Sequence, residues 1–189
     1  MFTRELVVVV RRRDGRVEER RIVVDKKVGD NQSEDLVTLW AFRLVRCLFA
    51  EAGRGGSVSF SFTDVGGYSR SQFCIRGYNI FLGSGCTDRY AFIGFGSDPT
   101  PPSRDNYRLL GELARVRAFQ QVFESDLRFV IYGSWVSDSD VSVCEVGLYL
   151  SVCDSGGGAR FLLIDRSVLD SCINVGAGET ISVTYAFQF

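Results

Sequence analysis

The chain has no histidine, a single methionine, and only two lysines beside twenty arginines. Without histidine, the usual general base, the commonest metal ligand and any Ser-His or Cys-His dyad are excluded together. Long apolar runs are missing too. No stretch reaches the roughly 18 uninterrupted apolar residues of a spanning helix, so no membrane span is expected. The N-terminus lacks the apolar core and small-residue cleavage site of a signal peptide. Any exit from the cell is therefore expected by another route, such as lysis. The six cysteines (Cys47, Cys74, Cys86, Cys144, Cys153, Cys172) contain no C-x-x-C pair, so zinc-site spacing is absent as well. Preferring arginine to lysine favours planar, forked ion pairs and is compatible with a GC-rich genome or a hot habitat.

What is present describes an ordered globular chain. Its 189 residues are 46% hydrophobic and 24% charged, with a net charge of −1. That length supports one core, and the charge balance argues against a general nucleic-acid binder.

Periodicity makes the chain mainly β. In residues 179–189, Glu179, Ile181, Val183, Tyr185, Phe187 and Phe189 alternate with Thr180, Ser182, Thr184, Ala186 and Gln188. This period of two predicts a strand with one buried face. Residues 143–152 form a second such run, with Val146, Leu148, Leu150 and Val152 on one side. A Gly-rich turn at 154–158 then leads into a third strand over 160–165, making a hairpin. The three strands are expected to lie antiparallel and to need a second layer.

Two patches carry a resemblance. The first joins E-V-G-L-Y (residues 145–149), F-L-L-I-D-R-S-V-L (161–169) and V-G-A-G-E-T-I-S-V-T-Y-A-F-Q-F (175–189). The second, residues 91–109, reads as an apolar strand, G-x-G, a Pro/Ser turn and D-x-Y-x-L. Together they cover about half of the chain, residues 91–189, and resemble a loose family of viral structural proteins. Its members are tail-fibre, head-fibre and appendage or filament components of tailed phages and archaeal viruses. The resemblance implies a virion protein that works by self-assembly, with copies of itself and other virion proteins as partners.

Upstream, residues 5–24 predict a β-hairpin around Asp14-Gly15. Its arginines (Arg11, Arg12, Arg13, Arg16, Arg20, Arg21) could contact nucleic acid, but Glu18 and Glu19 make cross-strand ion pairs the simpler expectation. Leu6, Val7, Val8, Val9 and Val10 are apolar on both faces. They suggest burial on two sides, or a projecting strand that completes a neighbour's sheet. Ser33 opens an expected helix running to Gly53, apolar nearly all round and including Trp40 and Phe42. Those residues are the candidate assembly surface. Residues 1–30, 31–56 and 57–189 thus read as hairpin, helix and β-sandwich.

From residue 57 onward, short strands and glycine turns predict an antiparallel, jelly-roll-like sandwich. Strands are expected over 57–63, 73–75, 78–82, 90–95, 114–123 and 127–136. Gly83-Ser84-Gly85 and Gly94-Phe95-Gly96 read as turn glycines, since no strand-to-helix turn or G-K-[ST] accompanies them.

Candidate chemistry is sparse. Asp138, Asp140 and Asp154 sit in loops, where carboxylates hold calcium or simply face water. Glu145 and Asp165 could make a glycosidase pair. A structural ion pair between Glu145 and Arg166 is preferred, because both interrupt apolar runs. Tyr68, Tyr78, Tyr90 and Trp135 could stack on sugars or fill the core. The cysteines read as buried thiols or as one or two disulfides, with Cys153–Cys172 the preferred pair. The expectation is therefore a non-enzymatic virion subunit without a cofactor. A carbohydrate- or receptor-binding module on the same fold, directed at a host-surface glycan or receptor, is the alternative.

Overall fold

β-branched and aromatic residues dominate the strand-forming stretches, and the computed structural model is mainly β. It describes residues 2–26, 36–37, 58–74, 91–103, 105–125, 128–153 and 158–188. β1 (Phe2–Arg11) and β2 (Val17–Lys26) form the N-terminal hairpin. The Arg12 amide donates to the Arg16 carbonyl at 2.8 Å and the Gly15 amide to Arg12 O at 3.1 Å. Gly15 holds φ at +85°, a conformation that costs glycine little. Next come β3 (Leu36–Val37), β4 (Val58–Thr63), β5 (Ser69–Cys74), β6 (Ala91–Gly96) and β7 (Glu112–Arg117). The last five are β8 (Gln120–Ser125), β9 (Arg128–Val136), β10 (Val141–Cys153), β11 (Ala159–Val175) and β12 (Thr180–Gln188).

Two five-stranded antiparallel sheets pack face to face. Sheet A has the order β2-β1-β12-β9-β8 and sheet B the order β3-β11-β10-β6-β7, while β4 and β5 pair as a separate hairpin. Sheet A contributes Leu6, Val8, Val10, Ile131, Ile181, Val183 and Tyr185 to the core, and sheet B contributes Ile93, Phe95, Val143, Val146, Leu148, Ile173 and Val175. A β-carbon on Gly133 of β9 would come within 2.8 Å of Ile93 on β6, so the layers meet closely there. Among the described residues, five hairpins (β1–β2, β4–β5, β6–β7, β8–β9, β10–β11) each close within one sheet. An antiparallel β architecture is as expected, but the sandwich includes β1 and β2 of the N-terminal hairpin instead of beginning at residue 57, and its strand order does not show a jelly-roll winding.

Several details differ from the sequence reading. β1 is an interior strand, paired with β2 on one side and β12 on the other. Leu6, Val8 and Val10 fill the chain's own core, while Val7 and Val9 are half-buried on the opposite face. A strand paired on both edges has no free backbone groups to lend a neighbour, so β1 is not a projecting joining strand. Leu36 and Val37, placed in the expected helix, instead form an extended bridge to Arg166 and Asp165. The rest of that helix, with Trp40 and Phe42, lies outside the described residues, as does the strand expected over 78–82. β12 belongs to the sheet opposite β10 and β11, so the three C-terminal strands supply both layers. The expected strand 114–123 is two strands in different sheets. The chain changes layer at Ala118 and Phe119, whose amides donate to Ala91 O at 2.9 Å and Tyr132 O at 3.0 Å.

Candidate functional site

The most polar part of the interior lies along β10 and β11. Arg166 and Glu145 are fully buried, and the Arg166 Nε donates to Glu145 Oε2 at 2.6 Å. The structure thus brings this pair together. Glu145 also accepts from the Gly111 amide at 2.7 Å and the Leu110 amide at 3.4 Å. Arg166 Nη1 reaches Asn106 Oδ1 at 3.4 Å, and Nη2 lies 3.8 Å from Asp98 Oδ1. The segment between β6 and β7 is therefore strapped over the outer face of sheet B by one carboxylate and one guanidinium.

Glycines make room for the strap. A β-carbon on Gly94 would sit 2.7 Å from the Tyr149 ring and 2.9 Å from Leu109, and one on Gly147 would sit 2.9 Å from Leu109. One on Gly96 would collide with the Glu145 carboxyl. Gly94 and Gly96 are consequently strand residues of β6, not the expected turn glycines. The missing side chains are the groove that Leu109, Tyr149 and Glu145 occupy. Gly83-Ser84-Gly85 lies outside the described residues.

Tyr149 anchors the same strap. Its hydroxyl accepts from the Leu109 amide at 2.9 Å and donates to Glu112 Oε2 at 3.3 Å. Burial first, then the Glu112 charge, pushes the phenol well above its ordinary value. Arg115 bonds Glu112 at 2.7 Å and lies over the Tyr149 and Phe161 rings, 4.3 and 4.6 Å from their centroids, a cation–π arrangement.

Asp165, the neighbour of Arg166, faces the other way. It pairs with Arg4, on the face of β1 that carries Leu6, Val8 and Val10, and accepts from Ser167 Oγ at 2.8 Å. Arg4 and Asp165 thereby tie sheet A to sheet B through the core. Their signal was available in the sequence: Arg4 continues the apolar alternation of β1 and so requires a buried partner. Glu145 and Asp165, proposed as a glycosidase pair, are both fully buried and each bound to an arginine. Among the described residues no open cleft lies between them.

Cys172 is bonded to Cys144, which replaces the expected Cys153–Cys172 pair. The register explains the difference. β10 and β11 pair Val143 with Ile173 and then Glu145 with Val168, so Cys144 faces an expanded bulge containing Cys172.

Four arginines of the first hairpin, Arg12, Arg16, Arg20 and Arg21, meet carboxylates. Arg12 contacts Glu18 and Glu179 at 2.5 and 2.9 Å, Arg16 contacts Asp14 at 2.6 Å, and Arg21 contacts Glu5 at 3.2 Å. The Gly176 amide and Arg12 hold the Glu179 carboxyl below the usual range. Among the loop aspartates, Asp140 accepts from the Ala177 amide at 2.8 Å and Asp138 from Ser139 at 3.2 Å; Asp154 lies outside the described residues. No group of three or more potential metal ligands occurs among the described residues. Trp135 packs against Phe95 at 5.6 Å, whereas Tyr68 is exposed with Arg70 over its ring. Tyr78 and Tyr90 lie outside the described residues.

In comparisons with known proteins, no family model, no curated protein and no solved structure matches the chain.

Proposed function

We propose that the chain is a non-enzymatic structural protein of a virus particle, a self-assembling subunit of a fibre, filament or other appendage. The observation that carries the non-enzymatic reading is the commitment of the buried charges. Glu145, Arg166, Asp165 and Arg4 bind one another and the strap, and so act as framework. Assembly is supported by the edge of sheet B, where Leu110, just before β7, and Leu113, within it, are 46% and 38% exposed. Uncovered apolar side chains beside an edge strand invite a second chain. The viral assignment rests on the sequence resemblance over residues 91–189, with assembly in the host cell followed by release. Light scattering over a concentration series tests the reading. The wild type is expected to exceed the monomer mass and Leu110→Glu/Leu113→Glu to return to it; a wild type monomeric throughout overturns it.

A second reading, a carbohydrate- or receptor-binding module, is favoured by one observation. Phe119 is 64% exposed, with its ring 5.5 Å from that of Tyr132 on the outer face of sheet A. Screening the intact chain on a glycan array tests it.

A further inference from the structure

Beside the Glu5–Arg21–Glu19 ion cluster on β1 and β2, the outer face of sheet A carries a band of different composition. Register places Arg11, Thr180 and Val136 in one row across β1, β12 and β9. Val9, Ser182 and Ser134 form the next row, and Val7, Thr184 and Tyr132 the third. Strand alternation points these side chains away from the core filled by Leu6, Val8, Ile181 and Val183. Five of the nine carry hydroxyls, three are valines, and Arg11 is the one charge.

A depression of about 270 Å³ opens on this face, lined by Val9, Arg11, Tyr132, Ser134, Thr180 and Ser182. The Tyr132 hydroxyl donates to Ser182 Oγ at 3.1 Å, which leaves the Ser182 O–H as a donor and the Tyr132 oxygen as an acceptor. Arg12, Arg16, Arg20 and Arg21 are matched with carboxylates. Exposed Arg11 and Arg13 have no ion-pair partner among the described residues, and of the two Arg11 lines the depression. Beside the depression, the exposed Phe119 ring lies against Tyr132, and the Phe119 amide is held by Tyr132 O at 3.0 Å.

An exposed cation, a ladder of hydroxyls and an exposed aromatic ring correspond to three parts of one ligand class. A carboxylate takes the guanidinium fork, ring hydroxyls take the Ser/Thr/Tyr ladder, and an apolar C–H face takes the aromatic ring. We propose that this depression binds a carboxylate-bearing sugar, with Arg11 as the carboxylate ligand and Phe119 as the stacking platform. The inference rests on the recognition reading above and names its ligand class.

The test is NMR titration of the intact chain with D-glucuronate, N-acetylneuraminate, methyl glucoside and acetate, repeated with Arg11→Gln and Phe119→Ser. Both residues are exposed, so an unchanged unfolding midpoint in each variant establishes that the fold is intact. The acidic sugars are expected to bind at least tenfold more tightly than methyl glucoside or acetate. Arg11→Gln is expected to remove that preference, a charge-assisted bond being worth about tenfold or more. Phe119→Ser is expected to weaken both sugar classes. Methyl glucoside binding as well as the acids, unaffected by Arg11→Gln, overturns the acidic site and leaves the recognition reading standing. Acetate matching the sugars identifies a simple carboxylate site and overturns the proposal. Binding of no sugar overturns both readings, and loss of an oligomer on Arg11→Gln assigns the face to a second copy and overturns the site.

Discussion

Asp165 and Arg166 are consecutive on β11, yet each is buried in an ion pair on a different face of the same sheet. Asp165 faces Arg4 across the sandwich core, and Arg166 faces Glu145 beneath the strap. Two adjacent charges thus serve two jobs, joining the layers and holding the β6–β7 connection.

Breaking one pair is expected to cost more than removing both of its members. Arg166→Met leaves Glu145 buried without its guanidinium and is expected to lower stability by about 3–5 kcal/mol. Glu145→Leu/Arg166→Met is expected to recover much of that loss, although the Gly111 amide then loses its acceptor. Urea unfolding of the single and double variants gives both values.

Gly94→Ala and Gly15→Ala separate two uses of glycine. A β-carbon at 94 is driven into Tyr149 and Leu109, with an expected cost of about 1–3 kcal/mol from overpacking. At 15 there is nothing within 4 Å, but φ is +85°, and the expected cost is about 1–2 kcal/mol from backbone strain. Leu109→Ala should relieve part of the cost of Gly94→Ala and none of that of Gly15→Ala when combined with each in turn, as read by thermal unfolding.

Stability is expected to fall at both ends of the pH range. Burial raises the Asp64 carboxyl, but the Arg70 hydrogen bond and the Tyr68 and Gly66 amides outweigh it, and the group titrates below its ordinary value. A depressed carboxyl contributes stability above its unfolded pKa of about 4, and that contribution is lost as pH falls through the folded value. Tyr149 has the opposite sign. Its raised phenol contributes stability below the unfolded value of about 10, and the contribution is lost as pH rises further. Asp64→Asn should flatten the acid limb of a urea-midpoint profile, and Tyr149→Phe the alkaline limb.

The Cys144–Cys172 bond joins residues 28 apart in sequence. In the chain-entropy account, closing a loop of that size stabilises by about 3.5 kcal/mol. Cys144→Ser/Cys172→Ser is expected to lower the unfolding free energy by about 2–4 kcal/mol. In that variant, faster amide exchange is expected across the bulge between Val168 and Ile173.

Local periodicity made β12 legible, since Ile181, Val183 and Tyr185 alternate with hydroxyl residues and fill the core as their spacing predicts. The β10–β11 hairpin was legible for the same reason. Where β11 ends was not: Asp165-Arg166 reads as a strand terminus until distant Arg4 and Glu145 are known to neutralise it. Gly94 and Gly96 look like turn residues because sequence does not show that Tyr149 and Leu109 lie over them. Leu6 to Val10 advertised two-sided burial correctly in one respect only. Leu6, Val8 and Val10 are core, whereas Val7 and Val9 line a half-open face whose partners, Ser182 and Thr184, are over 170 residues away in the chain. No local pattern encodes such a pairing.

Electron microscopy of the purified intact chain, at the highest concentration that stays soluble, tests the central claim most directly. Filaments, fibres or closed assemblies of regular repeat are the predicted result, and they should disappear with Leu110→Glu/Leu113→Glu. Uniform single particles of monomer size in the wild type would contradict the structural-subunit account.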